Sequence, residues 1–112
     1  MSQPELKEVK ESVYEILDLI RKDPRLYIGE PQLVRVALFI TGYQWGLGRN
    51  GLMFRHDEPD FRRRFHEWIA QRLGFAHSGS GWQNMIRERC ASEREAFDRF
   101  YELLDEFKTT VA

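Results

Sequence analysis

The sequence predicts an all-α fold: a single compact domain, residues 1–112, of about five helices around a hydrophobic central second helix. Three observations carry that reading. Apolar residues recur at steps of three and four along most of the chain, the spacing of one helix face. No segment alternates apolar and polar residues between hairpin turns, and "LYI" and "LMF" are too short for more than a small ribbon. Pro, Gly and Ser–Glu pairs punctuate the apolar stretches where helices should start and stop. At 112 residues, with eight Phe, four Tyr and three Trp, the chain has the length and the side chains for one core.

Pro4 is suited to a first helical turn, and Leu6, Val9, Val13, Ile16, Leu17 and Ile20 follow on one face. That first helix should end near Lys22, because Pro24 disfavours helical geometry at Asp23. Leu26, Tyr27 and Ile28 then anchor a turn, and Pro31 opens the second helix. Its residues from Leu33 to Leu47 are apolar nearly all round, which predicts a helix enclosed by the others. Gly42 and Gly46, four apart, would let another helix approach closely. Gly48 to Gly51 end it, and a loop leads to His56 and Asp57.

Pro59 should start the third helix, with Phe61, Phe65, Trp68, Ile69 and Leu73 buried and Gly74 as its stop. Ser80 with Gln83 makes a capping box for a fourth helix with Trp82, Met85 or Ile86, and Cys90 inside. Ser92 with Glu95 makes another for the fifth. That last helix buries Phe97, Phe100, Leu103, Leu104 and Phe107.

The formal net charge of -1 removes the general argument for nucleic acid or an acidic membrane as partner. Charge is uneven nonetheless: residues 31–77 carry four acids against seven bases, while both ends are net acidic. The run from Pro31 to Gly48 is interrupted by Arg35 and lies at the short edge of the roughly 17 to 25 residues that span a bilayer, so no membrane partner is expected. The N-terminus lacks an apolar signal region and Cys90 is the only cysteine, so a cytoplasmic location is expected and a disulfide framework is not.

Two resemblances bear on function. Arg21, Lys22 and Pro24, followed by Tyr27-Ile28-Gly29, resemble the opening motif of the ATP-binding domain in type II topoisomerase B subunits. Arg25 and Leu26 stand where that family has Gly and Met. The family's Mg2+-binding helix, its Asp-x-Gly-x-Gly motif and its Gly-rich lid have no counterparts, so no ATPase is expected. The Gly46-x-Gly48-x-x-Gly51 pattern follows a helix, where a phosphate-binding turn should follow a strand. The second resemblance is to small uncharacterised bacterial all-α proteins. It rests on Arg21 to Gly29, Phe39 to Tyr43, Phe65 to Trp68, Ser80 to Trp82, and Phe100 to Phe107. Families of this kind resemble immunity proteins, which bind a cognate toxin. The resemblance therefore implies a protein partner.

Catalytic, cofactor-binding and metal-binding residues are not expected. His56, His66 and His77 lack the spacing that puts two ligands on one helix face. Ser78 and Ser80 lack the strand-turn-helix setting that activates a serine, and Cys90 reads as an apolar filler. "GSGW", Gly79 to Trp82, reads as an interhelical turn rather than an anion site.

Two charged surfaces remain. On the last helix Glu95, Asp98, Glu102, Asp105 and Glu106 form an acidic face around Tyr101, expected to be exposed, which would suit a basic protein such as a nuclease toxin. Tyr14 or an exposed Trp could serve as the aromatic anchor instead. On the third helix Arg62, Arg63 and Arg64, with Arg55, could bind phosphates, unless Asp60 pairs with Arg64 and Glu67 with Arg63 or Arg64. The expected function is a non-catalytic protein-binding module, an immunity protein or inhibitor neutralising a bacterial toxin. The alternative is a module binding nucleic acid or a phosphate ligand through Arg62–Arg64. A homodimer also stays open, because five short helices need not cover the second one completely.

Overall fold

The computed structural model describes residues 5–76 and 81–110. Among them six helices and a two-residue ribbon follow the order β1 (Lys7–Glu8), α1 (Val13–Lys22), α2 (Pro24–Ile28), α3 (Leu33–Arg49), β2 (Leu52–Met53), α4 (Phe61–Leu73), α5 (Trp82–Glu88) and α6 (Glu93–Thr110). The fold is all-α apart from β1 and β2, which pair in parallel, Lys7 opposite Leu52.

The first helix starts later than its apolar spacing predicts. Lys7 N donates to Gly51 O at 2.9 Å and Val9 N to Met53 O at 2.8 Å, so this stretch is extended against β2. The helix begins after Ser12, which is 0% exposed and whose Oγ accepts from Glu15 N at 3.4 Å. Leu6 and Val9 thus flank the ribbon rather than sit on a helix, and Pro4 lies outside the described residues.

Pro24 ends α1 as expected, but it also begins a sixth helix. Asp23 Oδ1 accepts from Leu26 N at 3.3 Å, and Pro24 takes the first helical position, where no N–H is needed. Tyr27 and Ile28 pack on the core, whereas Leu26 points into solvent.

α3 departs most from expectation. Only its first half is enclosed, through Leu33, Val36, Ala37 and Ile40, while Leu38, Thr41, Gly42, Trp45 and Gly48 are exposed. A Cβ placed on Gly42 or Gly46 would meet nothing within 4 Å, so neither glycine serves the close approach of another helix of the chain. The hydrophobic spine is α6 instead, with seven buried side chains from Ala96 to Phe107.

Phe65 of α4 is the hub, with ring centroids 5.1 Å from Phe107, 5.8 Å from Phe100 and 5.4 Å from Trp82. The stripe predicted for α4 is the one that packs. Its helix starts at Phe61 rather than Pro59, because Asp60 caps it by accepting from Arg63 N at 3.1 Å. Gly74 stops it in the left-handed region at φ 77°. Gly81 precedes α5; the Ser80 capping box, like the His77–Ser80 connection, lies outside the described residues. Ser92 acts as predicted, its Oγ accepting from Glu95 N at 3.1 Å, while Glu95 Oε2 accepts from Ala91 N at 2.8 Å, one residue before the cap.

Candidate functional site

The acidic face of α6 is partnered within the chain. Asp105 receives both Nη atoms of Arg21 at 3.0 and 2.9 Å, and Glu106 receives Arg72 Nε at 2.7 Å. Asp98 pairs with Arg94 at 3.4 Å, Glu102 with Arg99 at 3.1 Å, and Glu95 is held by Ala91 N. Arg94 and Arg99 supply this compensation from α6 itself. Tertiary packing adds Arg21 from α1 and Arg72 from α4, which hold Asp105 and Glu106.

Tyr101, expected to be exposed, is 3% exposed. Its hydroxyl donates to Leu17 O at 2.7 Å, Arg21 covers its ring at 5.1 Å, and burial pushes the phenol well above its ordinary pKa. The cause is helical phase: Tyr101 follows Phe97 by four and Phe100 by one, and its ring packs edge-on against both. Tyr14 is buried too, donating to Pro59 O, with its phenol pushed up chiefly by burial. Neither tyrosine can anchor a partner without leaving the core.

The basic side differs. Arg55 is committed, donating to Lys10 O at 2.8 Å and Glu15 Oε1 at 2.7 Å, so it clamps the N-terminal segment and α1 to the β2–α4 loop. The pairs expected on α4 do not form. Asp60 is occupied as a cap and lies 3.9 Å from Arg63 Nε, leaving Arg63 86% exposed, and the side chains of Arg62 and Arg64 make no hydrogen bond or ion pair among the described residues. Three consecutive guanidinium groups therefore face solvent with little intramolecular compensation.

Beside them is a groove of about 530 Å³. Val13, Met53, Phe54 and Phe61 form its apolar lining, Thr41 and Trp45 one wall, and Arg62 and Arg63 the rim on the α4 side. Trp45 is 68% exposed, with Arg49 Cζ 5.2 Å above its ring, and Leu38, two turns earlier on the same helix face, is 67% exposed. Trp45 lines this groove, whereas Tyr43 stacks on Phe54 at 5.1 Å and Trp82 on Phe100 at 5.1 Å. Sequence reasoning left Trp45 as one of several aromatics. The available signal was α3 itself, an apolar cylinder with too few neighbours to cover it.

His56 closes one end of the groove. Its Nε2 lies 2.7 Å from Glu58 Oε1, its backbone N donates to Glu8 Oε2 at 2.7 Å, and the hydrogen bond to Glu58 raises its pKa above the usual histidine range. His66 is half-buried on α4, and His77 lies outside the described residues, as do Ser78 and Ser80. Cys90 packs against the core, and burial pushes its thiol pKa up. Among the described residues no group of three His, Cys, Asp or Glu could hold a metal ion, and no helix is long and apolar enough to cross a membrane. A second cleft, between α2 and α6, is lined by Arg21, Arg25 and Arg94 against Glu30, Asp98 and Glu102. Its charges alternate in sign, so it favours neither anion nor cation.

No protein-family model matches the chain, and neither the curated proteins nor the solved structures contain a match to it.

Proposed function

We propose that this chain is a non-catalytic protein-binding module whose contact surface is the open face of α3 and the adjoining groove. The observation that carries the reading is the exposure of Leu38 and Trp45 beside an apolar hollow, on a helix that has only one charged residue, Arg49, between Leu38 and Asn50. Large apolar side chains grouped on a surface mark interaction sites, and tryptophan is the most enriched anchor residue at protein interfaces. The α6 acids suit this role less well, because a partner would first have to displace Arg21, Arg72, Arg94 and Arg99. The narrower form of the proposal is an immunity protein or inhibitor that neutralises a bacterial toxin in the cytoplasm.

The test is affinity capture from the source cells with three baits: the natural chain, Trp45→Ala, and the charge reversal Glu102→Lys with Asp105→Lys. The expected result is one stoichiometric protein that survives moderate salt, is lost with Trp45→Ala and is kept with the charge reversal. Loss with the charge reversal alone would move the contact to α6.

The second reading is binding of nucleic acid or a phosphate ligand by Arg62, Arg63 and Arg64. The missing ion pairs of Arg62 and Arg64 favour it. It predicts affinity that falls steeply with salt, with a shallower slope once the three arginines are neutralised.

A further inference from the structure

The chemistry of the groove narrows the partner. We propose that it receives an acidic amphipathic helix of another protein, its apolar stripe lying on Leu38, Trp45 and the groove and its carboxylates meeting Arg49, Arg62 and Arg63. This inference rests on the protein-binding reading above.

Volume and shape come first. A hollow of about 530 Å³ is the size of a small-ligand site, so it takes a few side chains rather than a whole helix. The exposed face from Leu38 to Arg49 runs for roughly 16 Å at the helical rise, about three turns. A helix lying along that face would drop anchors at steps of three and four into the hollow, the usual way an amphipathic helix is recognised. An extended strand has less to hold, since β1 and β2 are two residues each.

Charge then selects the sign. The carboxylates that line the groove are spent: Asp57 faces Arg55 at 3.7 Å, and Asp60 caps α4 and lies 3.9 Å from His56 Nδ1. The cations are less committed. Among the described residues Arg62 is without an ion pair, Arg63 has only Asp60 at 3.9 Å and stays 86% exposed, and Arg49 meets the Trp45 ring. An apolar strip rimmed by three available guanidinium groups complements carboxylates flanking apolar anchors, and arginine binds carboxylates in two-pronged fashion.

The same charges argue against a second copy as the occupant. α3 carries Arg35 and Arg49 and no acid. Packed antiparallel about Gly42, Arg49 of one copy approaches Arg35 of the other; packed parallel, each arginine faces itself. Like charges at both ends of the contact oppose that dimer.

The probe is a fluorescein-labelled 18-residue peptide with Leu and Trp at helical spacing and Glu elsewhere, measured by anisotropy against the whole chain. Its controls are the same peptide with Lys for Glu and a single-stranded oligonucleotide. The expected result is saturable binding of the Glu peptide, about tenfold weaker for Trp45→Ala and for Arg62→Gln with Arg63→Gln, and no binding of the Lys peptide. Equal binding of both peptides, abolished by Trp45→Ala, overturns the acidic helix while the protein-binding surface stands. Binding of the oligonucleotide alone overturns both. A concentration-dependent dimer by light scattering that Trp45→Ala disperses overturns the hetero-partner, and a monomer that binds none of the probes overturns the acidic helix as occupant. Trp45, Arg62 and Arg63 are exposed, so circular dichroism should show the variants folded.

Discussion

Arg21 on α1 grips Asp105 on α6 through two parallel hydrogen bonds, 3.0 and 2.9 Å, across 84 positions of sequence. The same guanidinium lies 5.1 Å above the ring of Tyr101, whose hydroxyl bonds to Leu17 O on α1. One corner of the molecule thus combines a paired surface charge with a sealed tyrosine. It shows why residues that look like a binding face in sequence act as fasteners between two helices.

The Arg21–Asp105 pair should contribute little, because both side chains are about half exposed and water screens them. A double-mutant cycle with Arg21→Ala and Asp105→Ala should give a coupling of about 0.5 to 1 kcal/mol by denaturant unfolding. A coupling well above that would mean the pair holds the α1–α6 contact more strongly than its exposure allows.

Tyr101→Phe keeps the ring and removes the bond to Leu17 O. Stability should fall by about 1 kcal/mol, the usual net contribution of one hydrogen bond, because Leu17 O loses the second of its donors. Capture of a partner should be unchanged. A Tyr101→Phe chain with full stability but no partner would restore Tyr101 as an anchor.

Phe65→Ala should cost about 3 to 5 kcal/mol, because Phe65 is fully buried against three other aromatic rings from α5 and α6. In a chain this small such a loss consumes most of the stability. The readout is the urea midpoint, and an unchanged midpoint would contradict the packing described for α4.

Gly42→Ala should stabilise the chain by up to about 1 kcal/mol, as alanine favours the helix and its Cβ meets nothing within 4 Å. Gly42→Leu should leave the fold intact yet weaken partner binding, if a helix lies close along the open face. Stability and affinity moving together would argue that the face is not used.

His56 supplies a pH dependence. Its folded pKa is raised by Glu58, with Asp60 and Glu8 adding to the effect. The stabilisation is therefore complete below the unfolded value of about 6.5 and is lost as pH rises through the raised folded value. His56→Gln should flatten the thermal-stability profile across that window, and an NMR titration of the imidazole should report a midpoint above the ordinary one. A midpoint at or below 6.5 would remove the contact with Glu58 from consideration.

Periodicity was enough to locate most of the helices and their inner faces, because a 3.6-residue repeat of apolar side chains is a local property. The Phe97 to Phe107 stripe, the Phe61 to Leu73 stripe and the Gly74 stop were all legible that way. Ser12 with Glu15 was a legible start as well, but the apolar spacing of Leu6 and Val9 extended the helix across it. Long-range hydrogen bonds from Lys7 and Val9 to the β2 strand decided the matter, and local pattern carries no information about those. The exposed or buried state of Tyr101, the partners of the α6 acids and the uncovered side of α3 were likewise beyond the sequence. Each depends on which helices come to lie against which. Composition and periodicity by themselves determined that this chain forms helices around an aromatic core; tertiary packing alone decided which charges were neutralised and left Trp45 beside Arg62 and Arg63 open to a partner, because an ion pair or a covered face needs a neighbour that only the folded chain supplies.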